Sequence, residues 1–186
     1  MAIRRARIED VPAMLAIYEP FVRNTPFSFE CETPTVEEYS RRFTEHTAVY
    51  PLFVWEEEGK VLGFAYAGRA FERAAYAWNA EMSCYLSEEI RCRGIGRQLY
   101  TLIEDILRRQ GVRKTYAVVT TANEASVAFH KALGYKEAAT YYDVGFKLGK
   151  WYDVVWLEKQ LQPLGEPQQP PIPWDEPELS ENMVDK

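Results

Sequence analysis

The sequence predicts an α/β fold (α+β by some schemes), built on a mixed sheet of about seven strands with helices on its faces. Strand and helix patterns alternate along residues 1–162 in the order β-α-α-β-β-β-α-β-α-β-β. Hydrophobic residues make up 47% and aromatic residues 14% of the 186-residue chain. This composition is typical of a globular protein with one sizeable core.

The N-terminal elements are a strand and two helices. Residues 2–7, AIRRAR, have the mixed alternation of a short strand. Asp10 is expected to cap a first helix that has Pro12 in its first turn and runs through residues 13–22. Residues 34–46, PTVEEYSRRFTEH, have the pattern of a second helix.

Three strands and the longest helix follow. Residues 51–69 hold two apolar runs around a Glu/Gly/Lys turn, which predicts a hairpin, and residues 76–88 predict a fourth strand. Gly111 suits the C-cap of the next helix. Apolar residues in that helix recur with a period near 3.6: Ile95, Leu99, Leu102, Ile103, Ile106 and Leu107.

The body ends in a strand, a short helix and two more strands. Residues 114–121 predict a buried strand, and Asn123 is expected to cap the short helix that ends in KALGY. Residues 136–161 predict two strands around the loop GFKLGKW. That loop presents Phe146 and Trp151, and an exposed aromatic loop of this kind often marks an interface.

Residues 163–186 differ in composition and predict a separate proline-rich, acidic tail. They hold six of the 11 prolines, and six acidic residues against the single Lys186, which is −5 of the net charge of −6. Such a composition favours an extended, disordered chain. Trp174, Ile172 and Leu179 are the candidate anchors, either on the body or on a neighbouring subunit.

Bulk properties exclude several classes of protein. A pI of about 5.1 argues against nucleic-acid binding. Three cysteines without CxxC spacing argue against a disulfide framework or a zinc site, and favour a reducing, cytoplasmic location. Neither a secretory signal nor a run approaching ~20 apolar residues is visible. We expect no metal and no membrane partner.

The stretch RCRGIGRQL at residues 91–99 predicts an anion site. It joins a strand to a helix, and the first N–H groups of a helix lack intrahelical partners. Gly94 and Gly96 lack Cβ atoms, while three arginines bring positive charge. A Rossmann loop would need a small residue at position 99, and a P-loop would need Gly-Lys-Ser/Thr. The alternative is a solvated basic turn.

The motifs resemble those of the Gcn5-related N-acetyltransferases (GNAT). Residues 91–96, RCRGIG, are similar to the acetyl-CoA motif of that superfamily, and residues 123–135, NEASVAFHKALGY, to its second motif. The phosphinothricin and methionine-sulfoximine acetyltransferase branch is the more similar, through Glu81, His130 and residues 145–154, GFKLGKWYDV. The resemblance covers residues 1–162. It implies a mostly antiparallel sheet, acetyl-CoA as cosubstrate, and a homodimer.

The resemblance also implies the roles of particular residues. Glu81 and His130 are the catalytic candidates. The residues expected to bind the cofactor are Tyr85, Leu86, Ser87, Arg91, Arg93, Gly94, Ile95, Gly96, Arg97, Gln98 and Asn123. Tyr85, Leu86 and Ser87 would act through backbone N–H groups that bind the pantetheine arm and the developing oxyanion. The candidates for contacting the substrate are Phe29, Phe71, Arg73, Trp78 and Lys147.

The chemistry expected of Glu81 is to accept a proton from the substrate amine. An alkyl amine has a pKa of ~10.4, so about one molecule in a thousand is nucleophilic at pH 7. A carboxylate among aromatic residues can have a raised pKa and serve as the base. The alternative is a salt bridge with Arg73 or another arginine. His130 is either a second acid or base or a packing residue.

The chain departs from the branch in two places. Its Pro-Trp-Lys/Arg segment is replaced by Arg69-Ala70-Phe71, and its NFRTEP-like segment is SFECETP here, with Glu30 where a cation might meet a substrate carboxylate. Both departures count against phosphinothricin itself. The sequence thus predicts an enzyme that acetylates the primary amine of a small amino-acid-like compound. The alternatives are a peptide or protein amine acetyltransferase, or a CoA-binding sensor without turnover.

Overall fold

Seven strands form one sheet in the order β1-β2-β3-β4-β5-β7-β6, in a computed structural model that describes residues 1–166 and 169–174. The strands are β1 (Ala2–Arg5), β2 (Leu52–Glu57), β3 (Lys60–Arg69), β4 (Asn79–Leu86), β5 (Lys114–Thr120), β6 (Lys136–Lys147) and β7 (Lys150–Gln160). Only β4 and β5 pair in parallel. The helices are α1 (Val11–Asn24), α2 (Val36–Thr47), α3 (Ile95–Gln110) and α4 (Glu124–Ala132). The predicted mixed, mostly antiparallel fold is confirmed.

Two hydrophobic cores lie on opposite faces of this sheet. Helices α1 and α2 pack on one face, against residues such as Phe64 and Val54. Helix α3 packs on the other, where Leu99 and Ile103 are fully buried against Ala65. Alternation along each strand sends neighbouring side chains to opposite faces. A side chain on β4 therefore meets one core or the other according to the parity of its residue number.

The sheet opens between its two parallel strands. β4 and β5 pair over only three positions, from Asn79 opposite Lys114 to Glu81 opposite Tyr116. Beyond them β4 stays paired with β3, while β5 stays paired with β7 as far as Thr120. The two strands diverge because each follows a different neighbour. The resulting gap lies directly in front of the start of α3.

The caps of the last two helices are confirmed, whereas that of the first is not. Gly111 ends α3 with a positive φ of 95°, and the Asn123 side chain accepts the N–H of Ser126 at the start of α4. Asp10 precedes α1, but its carboxylate makes no cap bond to that helix. It binds the Arg4 guanidinium at 2.7 Å instead. The ion pair outcompetes the cap because it satisfies both carboxylate oxygens.

The last hairpin is tighter than expected. The predicted loop shrinks to a two-residue turn at Leu148 and Gly149, with φ angles of 51° and 82°. Both residues have positive φ, as a type I′ hairpin turn requires. Most of the GFKLGKW segment therefore belongs to the strands, and Phe146 pairs with Trp151 across them.

The described part of the tail packs on the body of the same chain. Trp174 is buried, with 3% of its surface exposed, and its indole N–H donates to the carbonyl of Thr47 at 2.8 Å. The N–H of Ile172 donates to the carbonyl of Gln110 at 3.0 Å. Both predicted anchors are therefore confirmed, on the body rather than on another subunit. Leu179 lies outside the described residues.

Candidate active site

The start of α3 presents free backbone donors. Gly94 precedes the helix in a left-handed conformation, with a φ of 77°, which turns the chain sharply out of the preceding loop. The N–H groups of Ile95, Gly96 and Arg97 occupy the first turn, where no intrahelical acceptor exists. The N–H of Gln98 donates to the carbonyl of Gly94 at 3.2 Å and is thus used by the helix. Three donors and the helix dipole are the features expected of an anion site, and anion binding here stays a prediction.

The two glycines of this loop have different roles. A Cβ atom added to Gly94 would have nothing within 4 Å, so this position is open to a ligand. A Cβ atom on Gly96 would lie 3.2 Å from the ring of Phe129. Gly96 is buried and makes room for a side chain of α4. Gly94 has open space beside it, whereas the space beside Gly96 is taken by Phe129, and the contact of both glycines with a phosphate stays a prediction.

The three arginines of residues 91–97 also have different surroundings. Arg91 and Arg97 line the cleft in front of α3. Arg97 donates to the carbonyl of Ala132 at 3.2 Å, which draws α3 and α4 together. Arg93 is not among the residues that line the cleft, and its guanidinium binds the carboxylate of Glu57. Two of the three predicted arginines therefore border the cleft, and the third is paired elsewhere.

The gap between β4 and β5 forms a cleft of about 440 Å³. Its walls are largely apolar, from Met82 and Val119 on the strands to Phe129 on α4. None of the described residues that line it is a carboxylate. An elongated ligand with phosphate at one end and an apolar arm fits this arrangement. Asn123 lines the same cleft, although its side-chain oxygen already accepts the N–H of Ser126 as the cap of α4.

The backbone donors on β4 differ from those predicted. The N–H of Ser87 donates to the carbonyl of Leu62 at 2.9 Å, so it faces β3. Residues two apart on a strand direct their N–H groups to the same side, so the N–H of Tyr85 faces β3 as well. The N–H of Leu86 faces the cleft. The predicted trio of backbone donors is corrected to one, because neighbouring N–H groups alternate between the two edges of a strand.

Glu81 lies on the face of the sheet that carries α1 and α2. Burial raises the pKa of its carboxyl to about 7. The predicted alternative, a salt bridge with Arg73 or another arginine, does not occur among the ion pairs of the described residues, and Arg73 is exposed. On β5 its partner is Tyr116, whose ring meets the edge of Phe71. The carboxyl is therefore half-buried beside aromatic rings, without a fixed cation.

His130 belongs to the other face and is buried. Its Nε2 lies 2.9 Å from the hydroxyl of Tyr100 on α3, and its Nδ1 lies 2.7 Å from the carbonyl oxygen of Ser126. An Nδ1–H donating to that carbonyl leaves Nε2 to accept from the phenol. Burial lowers the pKa of His130, so the ring is neutral at pH 7. The sheet separates it from the Glu81 side chain, although it lines the cleft.

Tyr100 is a cleft residue that sequence reasoning did not select. It is fully buried, lines the cleft and shares its hydroxyl with His130. The available signal was a tyrosine within the buried face of α3, since a buried phenol requires a hydrogen-bond partner. Periodicity places it in the core but does not identify that partner.

Two of the predicted substrate residues are aromatic side chains near the face of Glu81. Phe71 stacks on Trp156, with ring centroids 5.4 Å apart. Phe29 lies over Gly145 on β6, where an added Cβ would be only 2.2 Å from its ring. This glycine is required because the aromatic ring occupies the space of a side chain. Both rings remain partly exposed and available to a small molecule.

Two others have structural partners. The Trp78 indole donates to the carbonyl of Gln169 at 3.2 Å, so it holds the tail. Lys147 is buried, and its Nζ donates to the carbonyl of Ser28 at 2.6 Å. Both side chains are committed to backbone carbonyls, so the cation expected from Lys147 is used to dock the α1–α2 connection on β6.

Comparison with known proteins assigns the family. The family model described as an acetyltransferase (GNAT) domain matches residues 3–156 of the chain. The chain belongs to the GNAT acetyltransferase family. The match extends from β1 into β7 and thus includes part or all of every strand of the sheet.

Two similar curated proteins are acetyltransferases named for small molecules. The phosphinothricin N-acetyltransferase of Alcaligenes faecalis is 37% identical over 163 residues, which are 86% of this chain and 82% of that protein. The L-methionine sulfoximine/L-methionine sulfone acetyltransferase of Pseudomonas aeruginosa is 33% identical over 168 residues, covering 87% and 95%.

Solved GNAT structures share the fold. The phosphinothricin acetyltransferase of Sinorhizobium meliloti, in complex with AcCoA, has a TM-score of 0.84 and 33% identity, covering 91% of this chain and 92% of that one. A putative acetyltransferase of Salmonella typhimurium, with its cofactor acetyl-CoA, has a TM-score of 0.86 and 29% identity, covering 90% and 97%.

No helix in residues 1–166 and 169–174 is long and apolar enough to cross a membrane.

Proposed function

We propose that the protein acetylates the primary amine of a small amino-acid-like compound, of the phosphinothricin or methionine sulfoximine type. Acetyl-CoA is the donor, and the amine attacks directly within one ternary complex. The observation that carries the proposal is the position of Glu81. Its carboxyl, with a pKa raised to about 7, lies on the same strand that forms one wall of the cleft.

The described residues fit acetyl-CoA, which supplies an activated acyl thioester when bound. The N–H groups at the start of α3 would hold its diphosphate, together with Arg91 and Arg97. The apolar walls of the cleft suit the pantetheine arm. The N–H of Leu86 faces the cleft and would donate to the thioester oxygen, where negative charge develops.

Glu81 would take the proton from the substrate ammonium. A base whose pKa lies near the working pH is partly ionised and still accepts a proton readily. Glu81 lies on the α1–α2 face of β4, so the acetyl group would reach the amine through the gap between β4 and β5. His130 is proposed as a positioning residue, because its Nε2 orients the hydroxyl of Tyr100 toward the cleft wall.

The proposal is tested by thiol release from acetyl-CoA in the presence of a panel of amines. We expect turnover with small amino-acid analogues that carry a free α-amine, and none with their N-acetylated forms. Turnover with peptides alone would identify a peptide or protein acetyltransferase instead. Calorimetric binding of CoA without release of thiol from any amine would identify a sensor.

We also propose a homodimer that uses a hairpin patch on β6 and β7. Its exposed apolar residues are Tyr141, Tyr142, Val144, Phe146, Leu148 and Trp151, each at least 53% exposed. A contiguous apolar surface of this kind is typical of an interface. Tyr141 in the patch packs against Trp156, which stacks on the Phe71 ring, so the interface would adjoin the acceptor site.

We expect light scattering at micromolar concentration to give the mass of a dimer, and a Phe146→Glu/Trp151→Glu variant to give that of a monomer. Two charges in an apolar interface would have to be desolvated without partners. Ile8→Glu is the control, because Ile8 is an exposed apolar residue outside the patch. A monomeric wild-type protein would refute the dimer.

The three cysteines are free thiols. This supports the cytoplasmic location that we propose from the cysteine usage. The free thiols do not bear on the proposed acetyl transfer, since burial raises the pKa of the Cys84 thiol to about 12 and keeps it protonated.

A further inference from the structure

A second cavity lies between the helices α1 and α2 and the sheet. It has a volume of about 190 Å³ and is lined by polar side chains that the proposed chemistry does not use. Among them are Tyr18, Glu30, Tyr39, Arg42, His46 and Tyr66. The cavity is on the same face of the sheet as Glu81, since it is enclosed by α1 and α2.

Two buried polar atoms in the lining have no partner among the described residues. They are Oε2 of Glu30 and Nε2 of His46. The other oxygen of Glu30 accepts from the guanidinium of Arg42. Buried polar atoms without partners cost free energy, and each one in a native structure calls for an explanation. Two of them in one cavity indicate that the cavity receives a polar group.

The cavity adjoins Glu81. Gly68 on β3 is the register partner of Glu81, and paired residues face the same side of a sheet. The Cε1 atom of His46 lies 3.1 Å from where a Cβ of Gly68 would be, so the imidazole covers the space beside the carboxyl. Tyr66 lines the cavity, and the charges of both Glu81 and Glu30 act on its hydroxyl. An amine held at Glu81 can therefore extend its side chain into the cavity.

The charges of the lining favour hydrogen-bond donors over anions. Arg42, the cation in the lining, already binds Glu30 and also Glu38, at 2.8 Å from its Nε. Burial lowers the pKa of His46 to about 4, so its ring is neutral at pH 7. Two atoms remain open toward the cavity, Oε2 of the Glu30 carboxylate and Nε2 of the neutral His46 ring, and of these two the carboxylate oxygen carries the charge. An anionic group placed there would meet like charge without an uncommitted cation.

We propose that this cavity is the side-chain subsite of the acceptor amine, and that it selects compounds whose side chain carries an N–H donor for Oε2 of Glu30. This inference rests on the proposed function and narrows its substrate class. A neutral or cationic donor would satisfy the carboxylate oxygen, and an anionic phosphinate would not. Neither Glu30 nor His46 was selected as a site residue from the sequence.

The test uses two nearly isosteric amines, L-methionine sulfoximine and L-methionine sulfone, with thiol release as the readout. They differ by one N–H in place of one oxygen. We expect the wild-type kcat/KM for the sulfoximine to exceed that for the sulfone by at least about tenfold, because only the former satisfies the buried acceptor. Phosphinothricin, with its anionic phosphinate, should be the slowest of the three.

Glu30→Met removes the acceptor at similar length, and we expect it to bring the sulfoximine/sulfone ratio close to one. Glu38→Gln is the matched control, because it removes the other partner of Arg42 on the exposed side of α2 and should retain the wild-type ratio. Equal kcat/KM values in the wild type, or a ratio that survives Glu30→Met, would overturn the inference while turnover itself upholds the proposed function. Absence of turnover with every amine would end both.

Discussion

Glu81→Gln is expected to lower kcat by about 10²- to 10⁴-fold, the range that a general base contributes. The amide is the same size but cannot take the proton of the substrate ammonium. The burial that raises the carboxyl pKa to about 7 also predicts the pH dependence. The base acts only when ionised, so the wild-type kcat/KM should fall as the pH drops below 7.

The Glu81→Gln variant should lose this fall of kcat/KM at low pH and keep the separate rise of kcat/KM that the substrate amine causes at higher pH. Glu89→Gln serves as the control, because Glu89 is an exposed carboxylate in the connection between β4 and α3. Kinetics across pH 5.5–9 on both variants, with circular dichroism to check folding, provides the measurement. A Glu81→Gln enzyme with more than a tenth of wild-type kcat would remove Glu81 as the base.

Trp174→Ala is expected to reduce the free energy of unfolding by about 3–5 kcal/mol, the range for large aromatic side chains truncated in a core. The indole is buried, its edge meets Phe53 at 5.9 Å between centroids, and the guanidinium of Arg5 lies 3.9 Å above it. Its N–H bond to Thr47 would be lost as well. Urea unfolding followed by tryptophan fluorescence and circular dichroism measures the change.

Leu164→Ala is the matched control in the same tail, since Leu164 is 62% exposed and its truncation should change stability by at most about 0.5 kcal/mol. A Trp174→Ala protein as stable as the wild type would show that the tail does not hold the body. We expect a loss of stability, because the tail also forms hydrogen bonds with Gln110. The side-chain amide of Gln110 donates to the carbonyl of Ile172 at 2.8 Å and to the carbonyl of Val49 at 3.0 Å.

Local patterns were sufficient for the architecture. The period of α3, its C-cap at Gly111 and the cap of α4 at Asn123 follow from preferences that act within one turn of chain. The parity of β4 likewise placed Glu81 and Cys84 on opposite faces: Cys84 packs against the core under α3, whereas Tyr85, which shares the parity of Glu81, packs against the core under α1 and α2. Each of these depends on the residue and its near neighbours alone.

Partners distant in sequence decided the rest. Asp10 binds Arg4 instead of capping α1, Gly96 admits Phe129, and Lys147 binds the carbonyl of Ser28, 119 residues away. Composition favoured disorder for the tail, yet Trp174 packs into a core formed elsewhere in the chain. A single buried side chain can outweigh a local tendency, because burial energy depends on the surface that it meets.

The sequence by itself determined the order of strands and helices, the start of α3 and the strand position of Glu81. Only the tertiary structure decided which N–H groups remain free, which cations are already paired, and that Glu30 and His46 leave open atoms in one cavity beside Glu81. The physical reason is that hydrogen-bond saturation and burial are properties of the space between elements. They arise from pairs of residues that the linear pattern leaves far apart.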